Sequence, residues 1–216
     1  MHPTKLDHVA LRVSEPRRAA AALLARLPFR IIEETDEFVL VGRRPELGKV
    51  TLFRAPDAPR EPGQLLHVAI GIPCATATTT VLLDRGLVVR LVPGERDGDI
   101  DLDHVALRVP DPLASVRAWL DLGFEPASRV GAIERVRLGD ALVELHPGAP
   151  PASDRPLLDH LGLLVESFDD ARASAIAEGL VVRKVVDAEN SRALFLAGPD
   201  GVEVELVEHK PSFALA

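Results

Sequence analysis

The octapeptide Leu-Asp-His-Val-Ala-Leu-Arg-Val stands at residues 6–13 and again, letter for letter, at 102–109. Eight identical residues at a spacing of 96 mark an internal duplication. A duplicated unit restricts a chain to architectures whose copies stack or pair, so the repeat comes before any local reading. Weaker echoes run from Leu65 to Ile72 and from Leu158 to Val165. Four histidines, His8, His67, His104 and His160, therefore mark four unit starts.

Each start is an apolar strand followed by a Pro, Asp or Ser turn and a stretch of helical periodicity: 17–27, 113–122 and 168–178. Gly123 and Gly179 stand where a helix C-terminus favours glycine. Short β-type runs complete the units: 29–33, 38–41 and 50–53 in the first, near 129, 133–138 and 141–145 in the third, 180–186, 192–197 and 202–207 in the fourth. The second unit is short, since only 37 residues separate His67 from His104, against 59 and 56 for the other spacings. It has room for a helix over 75–85 and a strand over 87–92, without a closing hairpin. The fold class is α+β: four βαβββ modules, the second truncated, pairing into two cup-shaped mixed-sheet halves with helices outside. Pro-rich linkers at 55–63 and 147–156 and a Gly- and Asp-rich join at 94–101 divide the chain into halves 1–100 and 101–216.

Composition narrows the partners. Of 216 residues, 47% are hydrophobic and 27% charged, enough to build a core and too apolar for disorder. A net charge of -8 argues against nucleic acid or an anionic membrane as a partner. The one cysteine, Cys74, rules out an intrachain disulfide, and no apolar run reaches the length of a membrane span. The start carries no signal-peptide pattern. A cytoplasmic protein, monomer or homodimer, is expected.

Strand alternation assigns the faces. In Asp103 to Val109, the residues Val105, Leu107 and Val109 point under the helix, while His104, Ala106 and Arg108 share the open face. In the last strand of the third unit Leu142, Glu144 and His146 are on the open side, as are Glu203, Glu205 and Val207 in the fourth. Two such units facing one another bring His104, Glu144, His160 and Glu205 together. Two imidazoles and two carboxylates suit a divalent Zn, Ni, Mn, Co or Fe ion. Arg108 is a candidate to hold a substrate carboxylate or phosphate, and His146 a rim residue of the same binding site.

The Asp-His strand start and the run from Gly198 to Leu206 resemble the vicinal oxygen chelate superfamily, which includes glyoxalase I, extradiol dioxygenases and bleomycin-resistance proteins. The resemblance implies a cup around a metal, held by His104, Glu144, His160 and Glu205, and a small substrate chelated through two neighbouring oxygens. It further implies proton transfer next to a carbonyl, a lyase or isomerase reaction, with Glu205 as the shuttle and Glu144 as its partner. In the first half Thr51 stands where the carboxylate would be, so His8 and His67 read as relics or as the lining of a metal-free pocket. Two alternatives accompany this reading. An extradiol-type dioxygenase would use His104, His160 and Glu205, but it also uses a Tyr and a further His, whereas the chain has no Tyr and no His between 161 and 208. A resistance-type binding protein without catalysis would lack the ligands.

Overall fold

The structure, a computed structural model, describes residues 2–55, 61–83, 86–94, 99–152 and 156–215. Parts of the expected linkers and join, and two residues of the expected helix over 75–85, lie outside them. The first module comprises β1 (Lys5–Val13), α1 (Pro16–Leu24), β2 (Arg30–Glu34), β3 (Phe38–Gly42) and β4 (Lys49–Arg54). The second has β5 (Leu65–Ile72), β6 (Thr79–Leu82) and β7 (Val88–Pro93). The third runs through β8 (Asp101–Val109), α2 (Pro112–Asp121), β9 (Glu125–Pro126), β10 (Glu134–Leu138) and β11 (Ala141–Pro147). The fourth has β12 (Leu158–Leu164), α3 (Phe168–Ala177), β13 (Val182–Asp187), β14 (Ser191–Ala197) and β15 (Glu203–His209).

Three of the four modules follow the expected order. The second departs from it, because β6 replaces the helix expected over 75–85. The run Thr78-Thr79-Thr80-Val81 is β-branched throughout, which disfavours a helix and suits a strand. β6 then pairs antiparallel with β7, so this module keeps a hairpin and has no helix among its described residues.

The helices start where the sequence provides caps. Asp111 accepts hydrogen bonds from the Leu113 and Ala114 amides at the start of α2, and Ser167 accepts one from Asp170 at the start of α3. α1 packs on β3 and β4, α2 on β10 and β11, and α3 on β14 and β15. Their apolar faces bury Val9, Leu11 and Val13 of β1 and Val105, Leu107 and Val109 of β8 completely. The opposite faces of those strands are left to line cups, as the alternation requires.

Pairing of the modules differs from the halves 1–100 and 101–216. An eight-stranded sheet runs β13-β14-β15-β12-β1-β4-β3-β2 and joins the first module to the fourth. A seven-stranded sheet runs β6-β7-β5-β8-β11-β10-β9 and joins the second to the third. Each sheet is joined at an antiparallel seam between two modules. In β1 against β12, His8 faces Gly162 and Ala10 faces His160. A Cβ on Gly162 would come within 2.2 Å of the His8 ring, so glycine is what lets that ring lie across the seam. In β5 against β8 the same rule repeats, with His67 opposite Ala106 and Ala69 opposite His104.

Candidate metal centre

Each histidine is aimed by its own strand. His8 Nδ1 lies 2.9 Å from Asp7, His160 Nδ1 is 2.8 Å from Asp159, and His104 Nδ1 is 2.5 Å from Asp103. A neutral imidazole that donates from Nδ1 presents a lone pair at Nε2. Asp159 is in turn bonded by Arg12 from β1. Asp7, fully buried, accepts from Lys49 Nζ at 2.7 Å and stands 3.2 Å from His209 Nε2. Burial pushes the Asp7 carboxyl upward, yet the Lys49 ammonium and the His209 and His8 contacts outweigh it and hold the group well below the usual range.

In the first-and-fourth cup the Nε2 atoms of His8 and His160 are 3.1 Å apart, and Glu205 Oε2 is 2.9 Å from one and 3.0 Å from the other. All three residues are buried. With Nδ1 of each ring turned to its aspartate, the two Nε2 atoms and the Glu205 carboxylate converge on one point, an arrangement that favours a cation there. Without a metal that cation is a proton: although burial opposes it, the Asp7 and Glu205 contacts raise His8 to about 9. Glu205, which burial would raise, is held down to about 2 by His160 and His8.

The spacing also fits a metal. Ligands about 2.1 Å from one ion stand about 3.0 Å apart at right angles and about 3.4 Å apart at the tetrahedral angle. The observed triangle has the edge of an octahedral face, the two-histidine, one-carboxylate arrangement that leaves three positions open.

The second-and-third cup gathers a similar but poorer group. His67 Nε2 is 2.9 Å from His104 Nε2, and Glu144 lies 3.7 Å from His104. Glu144 is drawn aside by Arg135 at 3.4 Å and His146 at 3.2 Å. His67 is preceded by Leu66, so it has no aspartate of its own. Burial, followed by His104, Arg90 and His146, lowers its pKa to about 3.

Sheet register explains why the two cups differ. Counting two residues on from each histidine and across to the module's last strand gives Ala10 to Thr51, Ala69 to Arg90, Ala106 to Glu144 and Gly162 to Glu205. The fourth position of the first-and-fourth cup is therefore a neutral threonine, whereas the other cup carries an arginine there.

The expected quartet is accordingly divided. His160 and Glu205 come together with His8, while His104 and Glu144 come together with His67. His146 is bonded to Glu144. Arg108 stands opposite His146 in the β8–β11 register, and its side chain lies against Gly148. His8, read as a relic, is the residue that sequence reasoning missed. The signal was present as the pattern His, apolar residue, Ala or Gly, shared by all four units and self-complementary only across an antiparallel seam.

Above the His8, His160 and Glu205 triangle opens a cavity of about 400 Å³. Phe38, Phe53, Phe195 and Phe213 make its apolar walls, with Thr51, Lys184 and His209 among the polar lining. The His160 ring meets Phe195 edge-on at 5.1 Å and Phe53 at 6.0 Å.

Tandem modules closing into cups over buried histidine and carboxylate clusters define the class of fold. Residues 101–206 match the model of the Glyoxalase/Bleomycin resistance protein/Dioxygenase superfamily. That segment, the third module and the fourth as far as β15, belongs to the superfamily. A candidate dioxygenase from Bacillus subtilis superposes with a TM-score of 0.76 at 16% identity, covering 99% of this chain and 87% of its own. Glyoxalase I from Zea mays gives 0.73 at 17%, covering 94% and 92%. The CppA protein from Streptococcus pneumoniae gives 0.63 at 12%, covering 96% and 100%. At these identities the likeness is one of fold. No curated protein matches the sequence.

Proposed function

We propose that the chain is a metal-dependent enzyme whose working centre is His8, His160 and Glu205, acting on a small substrate through two neighbouring oxygens. The convergence of those three ligands at 2.9 to 3.1 Å beneath a phenylalanine-walled cavity carries the reading. A divalent ion bound there supplies a Lewis-acidic centre able to chelate both substrate oxygens with a position to spare.

The rest is the work of the protein. Asp7 and Asp159 fix the tautomer and direction of the two imidazoles. Phe38, Phe53, Phe195 and Phe213 keep water from the reacting atoms. His209, lining the cavity and braced by Asp7, is placed to hold or release a proton at the substrate.

Between the reactions of the superfamily, ligand number favours oxygenase chemistry, the opening of a vicinal diol such as a catechol with both atoms of dioxygen incorporated, against which stands the absence of any Tyr. Proton transfer next to a carbonyl, favoured by the expected quartet, relied on Glu144 as partner to Glu205, and Glu144 stands in the other cup with Thr51 in its place. One observation keeps proton transfer as a second reading: Glu37 and the Asn190-bonded Glu33 also line the cavity, outside the ligand triangle, where a carboxylate can accept a proton.

Protein reconstituted anaerobically with Fe(II) and given catechols should consume oxygen, and His8→Ala or Glu205→Gln should abolish this while Glu144→Gln leaves it. Proton exchange beside a carbonyl with Ni, Co or Zn, and no oxygen uptake, would select the second reading. Failure of the protein to retain any of these metals would end both.

A further inference from the structure

The segment that follows β15 does more than end a strand. Lys210 donates its amide to the Asn190 carbonyl at 2.8 Å, and its Nζ to Asp187 and to the Ala188 carbonyl, each at 2.5 Å. Ser212 Oγ donates to the Glu189 carbonyl at 3.0 Å. These bonds clamp residues 210–213 onto the turn between β13 and β14, at the fourth-module side of the cup. From there Phe213 reaches across to the first module, where it is buried with Ile32 and Leu40 and touched by Phe38. This small cluster is separate from the main core.

We infer that Phe213 is the end wall of the cavity and sets the length of substrate the cup accepts. Its ring lines the cavity between the β2–β3 side and the β13–β14 turn, a span that Asn190 also bridges by donating to Glu33 at 2.8 Å. It also lies 3.9 Å, centroid to centroid, from His209, with Lys49 Nζ 5.3 Å from its ring centre. A substituent on a chelated substrate that points toward this end meets an apolar surface. The specificity it imposes is therefore one of size, for an apolar tail directed toward the Ile32, Leu40 and Phe213 cluster. The naming of chelated substrates rests on the proposed function; the wall itself does not.

The test uses two ligand series on the full chain. One is 4-alkylcatechols of increasing length with the zinc-loaded protein, followed by calorimetry. The other is alkylbenzenes with the metal-free protein, followed by ligand-observed NMR. In the parent protein, affinity should stop rising at a short chain in both series. In Phe213→Ala it should continue to rise by about fourfold per added methylene over the next carbons. Phe213→Leu serves the same purpose should the alanine variant fail to fold, and Phe213→Trp should shorten the limit. An unchanged limit in the alkylbenzene series, or no alkylbenzene binding to any of these proteins, overturns the inference. A shifted alkylbenzene limit with no catechol binding leaves Phe213 as the wall and removes the proposed substrate.

Discussion

At the residue scale, a glycine and a buried ion pair decide whether three ligands can meet. Gly162→Ala puts a methyl group where the His8 ring lies, so the ring must leave the triangle. Metal affinity measured by chelator competition should fall by about tenfold or more, in the range seen when a ligand's support is removed. Lys49 is 1% exposed and is bonded to Asp7 and to the Pro45 and Leu47 carbonyls. Lys49→Met strands the Asp7 charge behind His8, and urea denaturation should register a loss of about 3–5 kcal/mol. The double variant with Asp7→Asn should lose less than the two single effects added together.

At the scale of the element, the strands and helices were legible because apolar alternation and capping residues are local signals. α2 and α3 begin within a residue of their expected starts, next to Asp111 and Ser167. The missed β6 shows the limit, since a threonine run without alternation says little until a partner strand is present. β5 carries a pH prediction of its own. His67 has a folded pKa of about 3 against an ordinary 6.5, so it is neutral in the fold and binds a proton more readily in the unfolded chain. Its contribution is complete above about pH 6.5 and is lost as the pH falls toward 3. In the metal-free protein, stability should decline across that window, and His67→Gln should flatten the decline between pH 6.5 and 4.5. An unaltered slope would show that His67 is protonated in the fold.

At the scale of the molecule, sequence order misled where local pattern did not. The repeat revealed four modules and the residue types of both clusters. It did not reveal which modules meet, because all four carry a compatible seam and only the three-dimensional closure chooses. His160 and Glu205 kept company within one module as expected, while their third partner came from residue 8. Each sheet takes strands from both halves of the chain, and one buried cluster runs through both sheets. Unfolding followed by circular dichroism and by Trp119 fluorescence should therefore coincide in a single transition. Two separated transitions would mean that the sheets behave as independent domains. The two histidine clusters stand in different sheets, so a substitution in one cup leaves the strands of the other untouched. Modules two and three carry the chain from the first to the fourth, which then join directly through β1 and β12, so a cut between the two central modules would separate the partners of each sheet only in sequence, not in space.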